Sequence, residues 1–98
     1  MRNIIPLESL DLMADLRGLP ERTNRRQLEE SRRFLHRAIA TELTQRQRQL
    51  LCVYYFDRLS MPQIAQQLGI HKSSVSRTIR TALDRLTQLS AVYFQVRS

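Results

Sequence analysis

Between His71 and Arg80 the chain places Lys72, Ser73, Ser74, Ser76, Arg77 and Arg80 with no acidic side chain among them. Hydroxyl, ammonium and guanidinium groups of this kind donate hydrogen bonds. Crowded into one segment, they suit an anionic partner rich in acceptors, such as phosphates and the base edges of a nucleic acid. The same residues make a poor catalytic centre. His71 lies near Ser73 and Ser74, yet no acid is spaced to orient its ring and no glycine-rich elbow surrounds the serines. His71 is expected instead to cap a helix or to meet a phosphate. Cys52 is the one cysteine and His36 and His71 the two histidines, so the chain has no zinc-binding pattern, and no metal or cofactor is expected. Tyr54, Tyr55 and Phe56 could stack on single-stranded bases, but a contiguous cluster in a helix is expected to pack inward. The residues point to binding, not to an enzyme.

For this cluster to meet a partner, the elements around it must present it. Ser60 to Leu86 reads as two helical patterns pinched around Gly69. Ser60 can accept a bond from the amide of Gln63, whose side chain reaches back to complete a capping box. Pro62 sits in the first turn, where a missing amide costs little. Ile64, Ala65 and Leu68 recur as one buried face. Gly69 is the expected left-handed cap, Ile70 an apolar plug, and a second helix is expected to begin near His71 or Lys72. In that helix Val75, Ile79, Ala82, Leu83 and Leu86 cluster on one side at about 100° per residue. Ser73, Arg77, Arg80 and Asp84 project from the other, with Ser76 on the flank. A short helix, a glycine turn and a second helix with separate packing and polar faces is the pattern of a helix-turn-helix, whose second helix enters the DNA major groove.

The charge distribution agrees. Sixteen basic and nine acidic residues give a net +7 and a pI near 11.0, which favours a polyanionic partner. Residues 1–42 hold eight Arg against seven acids, whereas residues 43–98 hold seven Arg and Lys72 against Asp57 and Asp84, a net of +6. The excess therefore lies with the motif. Upstream of it, Thr44 and Gln47 form a second capping box, and Leu50, Leu51, Tyr54 or Tyr55 and Leu59 supply apolar contacts for a buttressing helix.

Taken together, Leu43 to Leu89 resembles region 4 of bacterial RNA polymerase sigma factors. The resemblance is carried by Leu43, Thr44, Arg46, Gln47, Leu50, Leu51, Tyr55, Leu59, Ser60, Ile64, Ala65, Leu68, Gly69, Ile70, Val75, Ala82 and Leu86. It implies a module that reads the upstream promoter element and touches the polymerase flap. It also implies that Lys72, Ser73, Ser76 and Arg77 meet bases or nearby phosphates, with Arg80 further along the groove. The sequence departs from the family pattern at His71, where a small hydroxyl residue is frequent, and at Tyr54, where a basic residue is. With 98 residues there is no room for the further module of a complete sigma factor, so a stand-alone region 4-like regulator is expected.

Few glycines and prolines against many Leu, Gln, Arg and Ala place the chain in the all-α class, as a small bundle of about five helices. The expected organisation is one compact domain: N-terminal helices over 1–42, the helix-turn-helix over 43–90 and an apolar C-terminal tail over 91–98. Gly18-Leu19-Pro20 should break Leu7 to Arg17 from a longer helix over about Asn24 to Thr41. Leu7, Leu10, Met13 and Leu16 are expected to line the first piece, and Leu28, Leu35, Ala38 and Ile39 the second. The arginines of the second helix are read as a solvated face, with auxiliary phosphate contacts or a protein interface as alternatives. The tail Ala91 to Val96 needs cover: it could extend the recognition helix, fold back on the N-terminal helices, or pair with a second copy in a homodimer suited to a palindromic operator. No apolar run reaches the roughly 18 residues of a membrane span and no signal peptide is evident, so a cytoplasmic, nucleoid-associated chain without membrane contact is expected. The leading expectation is a sequence-specific regulator of transcription that binds duplex DNA. Its rivals are a protein-interaction adaptor on RNA polymerase and an RNA-associated adaptor of the same fold.

Overall fold

The structure, a computed structural model, describes residues 10–16, 19 and 25–96. Among these residues it contains five helices: α1 (Leu10–Ala14), α2 (Arg25–Glu42), α3 (Gln45–Tyr55), α4 (Met61–Leu68) and α5 (Lys72–Val96). α5 is the axis on which α2, α3 and α4 all pack. Its 25 residues span about 37 Å at 1.5 Å per residue, which accounts for most of the 43 Å long dimension of the molecule.

Local rules set the helix boundaries. Thr44 caps α3, accepting from the Gln47 amide at 3.1 Å while its own amide donates to Gln47 Oε1 at 3.0 Å. Ser60 and Gln63 repeat this exchange at the start of α4, at 3.2 and 2.8 Å. α4 ends at Gly69 (φ 68°), where the carbonyl of Ala65 accepts from the amides of both Gly69 and Ile70. Such a left-handed C-cap suits glycine because other residues crowd Cβ against the backbone. α3 ends differently. Phe56 and Asp57 both donate to the Cys52 carbonyl, Arg58 takes φ 59°, and Leu59 donates back to the Val53 carbonyl at 3.1 Å. An arginine thus occupies the left-handed position that turns the chain into α4.

The core is one cluster. Leu35, Ala38 and Ile39 of α2, Leu50 and Leu51 of α3, Ile64 and Ala65 of α4, and Val75, Ile79, Ala82 and Leu86 of α5 are buried, with Leu43 between α2 and α3. The expected seam of α5 is therefore the packed one, with Leu83 half-buried at its edge. From the N-terminal piece Leu12, Met13 and Leu16 enter the core. Leu12 was not among the expected contacts; Leu7 lies outside the described residues, as does the side chain of Leu10. Tyr55 pins this piece by donating to Asp15 Oδ2 at 2.6 Å. Ser31 and Ser90 are also fully buried, which the sequence does not signal because a small polar residue leaves no mark on an apolar periodicity. Ser90 donates to the Leu86 carbonyl at 2.7 Å.

Two arginines converge on the C-terminal end of α2. Arg48 Nη1 donates to the carbonyls of Ile39 (3.3 Å) and Ala40 (3.1 Å), and Arg85 Nη2 donates to Glu42 Oε1 at 3.0 Å. Cations offset the unpaired carbonyls and partial negative charge of a helix C-terminus, and here they also balance an acid placed at the unfavourable end. Residues 91–96 continue α5 without a break, and Phe34 of α2 stacks on Tyr93 at 4.8 Å and meets Phe94 edge-on at 5.2 Å. The apolar tail is thus both an extension of α5 and a surface packed on α2.

Candidate nucleic-acid interface

α4 and α5 meet through the three-residue turn Gly69-Ile70-His71, and α5 begins at Lys72. The backbone carbonyl of His71 accepts from the amides of Ser74 (3.0 Å) and Val75 (3.2 Å), which starts α5, while its side chain stays exposed. No acidic residue lies in the first turn of α5, nor in that of α3 or α4. The partial positive charge of these helix ends is therefore not neutralised within the element itself.

On α5, Val75, Ile79, Ala82 and Leu86 are buried while Ser73, Arg77, Arg80 and Asp84 are exposed. These four exposed residues follow one another at i, i+4, i+7 and i+11, so they form a single stripe opposite the seam. Lys72 is exposed at its start. From Lys72 to Arg80 the cationic part runs about 12 Å along the axis, close to the width of the B-DNA major groove. Asp84 ends it, since a carboxylate repels the phosphates that the preceding residues attract.

The expected site residues divide into three sets. Lys72, Ser73 and Arg77 stand outward with His71 at the turn. Ser76 is half-buried and, with Arg80, lines a groove of about 470 Å³ that also holds Asp15, Tyr54, Met61 and Asp84. Arg80 therefore reaches solvent from a wall shared with two carboxylates. Ser74 is half-buried on the opposite flank. The exposed arginines outside the expected set include Arg46 in the first turn of α3 and Arg58 at the α3–α4 corner, where Arg58 shares a shallow cleft with Ser60 and Gln63. Nothing in the residue pattern marks Arg58, because its position depends on a backbone conformation that arginine rarely adopts.

Cys52 is partly buried. Burial raises its thiol above the ordinary value of 9.0, the nearby Asp57 carboxylate raises it further, and Arg48 opposes both. It is a packing residue with little thiolate at neutral pH. Among the described residues no three His, Cys, Asp or Glu side chains gather where they could hold a metal ion.

The family described as Sigma-70, region 4 matches residues 41–88. The match begins at the end of α2, takes in α3 and α4, and extends through the first two thirds of α5. No curated protein and no solved structure matches the chain.

Proposed function

Through residues 41–88 the chain belongs to the sigma-70 region 4 family, a helix-turn-helix DNA-binding family, and on that premise we propose that it is a sequence-specific regulator of transcription that binds duplex DNA. α5 enters the major groove, Arg77 and Ser73 meet base edges, and Lys72, His71 and Arg80 meet neighbouring phosphates. Ser76 and Ser74 border the contact, and their small side chains let the backbone approach closely. Arg58 and Arg46 anchor the flanking phosphates. The protein acts by binding, not by catalysis, and works in the cytoplasm on chromosomal DNA.

The observation that carries this reading is the separation of faces on α5: an exposed strip of Ser73, Arg77 and Arg80 opposite a packed seam, with Lys72 exposed at the start of the helix. A merely structural helix has no need of such a strip free of acids. Selection from random duplex DNA, followed by sequencing, tests it. Enrichment of one motif is the expected result, and recovery of unselected sequence would defeat the proposal. Among the described residues no helix is long and apolar enough to cross a membrane.

RNA polymerase is the second partner proposed, because region 4 modules bind the polymerase core as well as DNA. Retention of polymerase on the purified chain after nuclease treatment, with no DNA motif recovered from the selection, would favour the adaptor reading over the regulator.

A further inference from the structure

α2 and the C-terminal part of α5 enclose an open groove of about 610 Å³, lying almost wholly outside the residues matched to the family. Phe34, Leu89 and Tyr93 form its apolar floor, and Arg26, Arg33 and Arg37 stand along its α2 side. The three arginines fall at i, i+7 and i+11, a single stripe about 16 Å long, and all are exposed. The two acids on the same wall are engaged. Glu42 accepts from Arg85 at 3.0 Å, and Glu30 has an interaction of its own. The rim is therefore cationic beside an apolar floor. Val92 (64% exposed) and Tyr93 (42%) are the large apolar residues left most open among those described. Val92 lies three residues from Leu89, so it continues the same surface.

The position of the groove excludes the duplex held by Arg77. Tyr93 lies sixteen residues beyond Arg77, about 24 Å along α5 and about 160° around it. A single-stranded nucleic acid fits poorly as well. Base stacking needs open ring faces, whereas Phe34, Tyr93 and Phe94 are turned on one another at 4.8, 5.2 and 4.8 Å. What remains is a helix-sized apolar trough with positive charge along one edge.

We propose that this groove docks an acidic amphipathic helix of a partner protein. Its apolar side chains lie on Phe34, Leu89 and Tyr93, and its carboxylates face Arg26, Arg33 and Arg37. This is recognition of a helix by a groove, with charge complementarity setting register and orientation. The arginines of α2 thereby gain a role that a solvated face would not need.

The test is a displayed library of randomised helical peptides, roughly three to four turns long, selected against the full chain. The expected winners carry Asp or Glu at the spacing of the arginines with Leu, Ile or Phe between them. They should bind the R33E/R37E double variant at least about tenfold more weakly, and replacing their acids by Lys should restore at least about tenfold on that variant. Both positions are exposed, so circular dichroism should be unchanged. If R33E/R37E fails to fold, R33Q/R37Q takes its place with an expected loss of about threefold or more. Winners without acid enrichment, or winners bound equally by wild type and variant, would overturn the proposal. So would displacement of the best peptide by oligothymidylate, or a self-association in sedimentation experiments that R33E/R37E abolishes, since these would give the groove to nucleic acid or to a second copy.

Discussion

Arg48 donates to the carbonyls of Ile39 and Ala40 while Arg77 projects from the exposed stripe of α5, so substituting each should separate stability from binding. Arg48→Ala leaves two carbonyls at the end of α2 without their cation and should cost about 1–2 kcal/mol. For a domain of this size that is a fall in Tm of roughly 4–8 °C per kcal/mol, with DNA affinity of the folded protein preserved. Arg77→Ala should do the reverse, weakening specific binding by about 1–3 kcal/mol while thermal melting stays within about a degree of the wild type. An unmoved titration curve for Arg77→Ala would assign base reading to another face. Cys52 adds a pH-dependent test. Its thiol is raised chiefly by burial, with Asp57 adding to the shift, so the folded chain holds that proton more tightly than the unfolded one. The stabilisation is complete below the ordinary 9.0 and is lost as pH rises through the higher folded value. At neutral pH iodoacetamide should label Cys52 more slowly than it labels the denatured chain, and denaturation should bring the rate up to that of a free thiol.

Two residues with positive φ frame α4, and they predict opposite responses to substitution. Gly69→Ala should destabilise the protein by about 1–2 kcal/mol, from backbone strain alone. A Cβ there meets nothing within 4 Å, so no clash contributes. Arg58 (φ 59°) already bears that strain, and Arg58→Gly should therefore raise Tm or hold it level despite the greater freedom of glycine in the unfolded chain. The same variant should weaken DNA binding if Arg58 anchors a phosphate, so paired melting and binding curves separate the two effects. Gly69 was legible in the sequence because a glycine after a short capped helix is a local rule, as were the Thr44/Gln47 and Ser60/Gln63 boxes. Arg58 was not, since arginine carries no signal for a left-handed turn. Arg48 and Arg85 were equally hidden: their partners on α2 lie eight or nine residues away for Arg48 and forty-three for Arg85, beyond any helical period. Leu12 escaped because the five residues of α1 are too few for a periodicity to declare itself. On α5, by contrast, the long repeat separated seam from stripe correctly, and only the sideways lean of Ser76 and Arg80 toward Tyr54 and Met61 had to come from the packing of α3 and α4.

At the scale of the whole molecule, the net +7 predicts attraction to a polyanion, but the fold decides how many charges can act together. Of the eight cations over residues 43–98, Arg48 and Arg85 are committed to the end of α2, and Arg97 lies outside the described residues. Arg46, Lys72, Arg77 and Arg80 remain, all exposed, and Arg58, also exposed, has an interaction of its own. The arginines of α2 cannot add to this set if they flank the groove on the far side of α5. Each phosphate neutralised releases counterions and contributes about −0.9 to the slope of log affinity against log salt, so four or five contacts give a slope of about −4. Titrations of the selected duplex at several salt concentrations should yield that value. R33E/R37E should leave it unchanged, while Lys72→Ala should reduce its magnitude by about one. A slope that falls by about two in R33E/R37E would place α2 against the same duplex, which a rigid helix presenting Arg77 and Tyr93 on opposite sides does not allow.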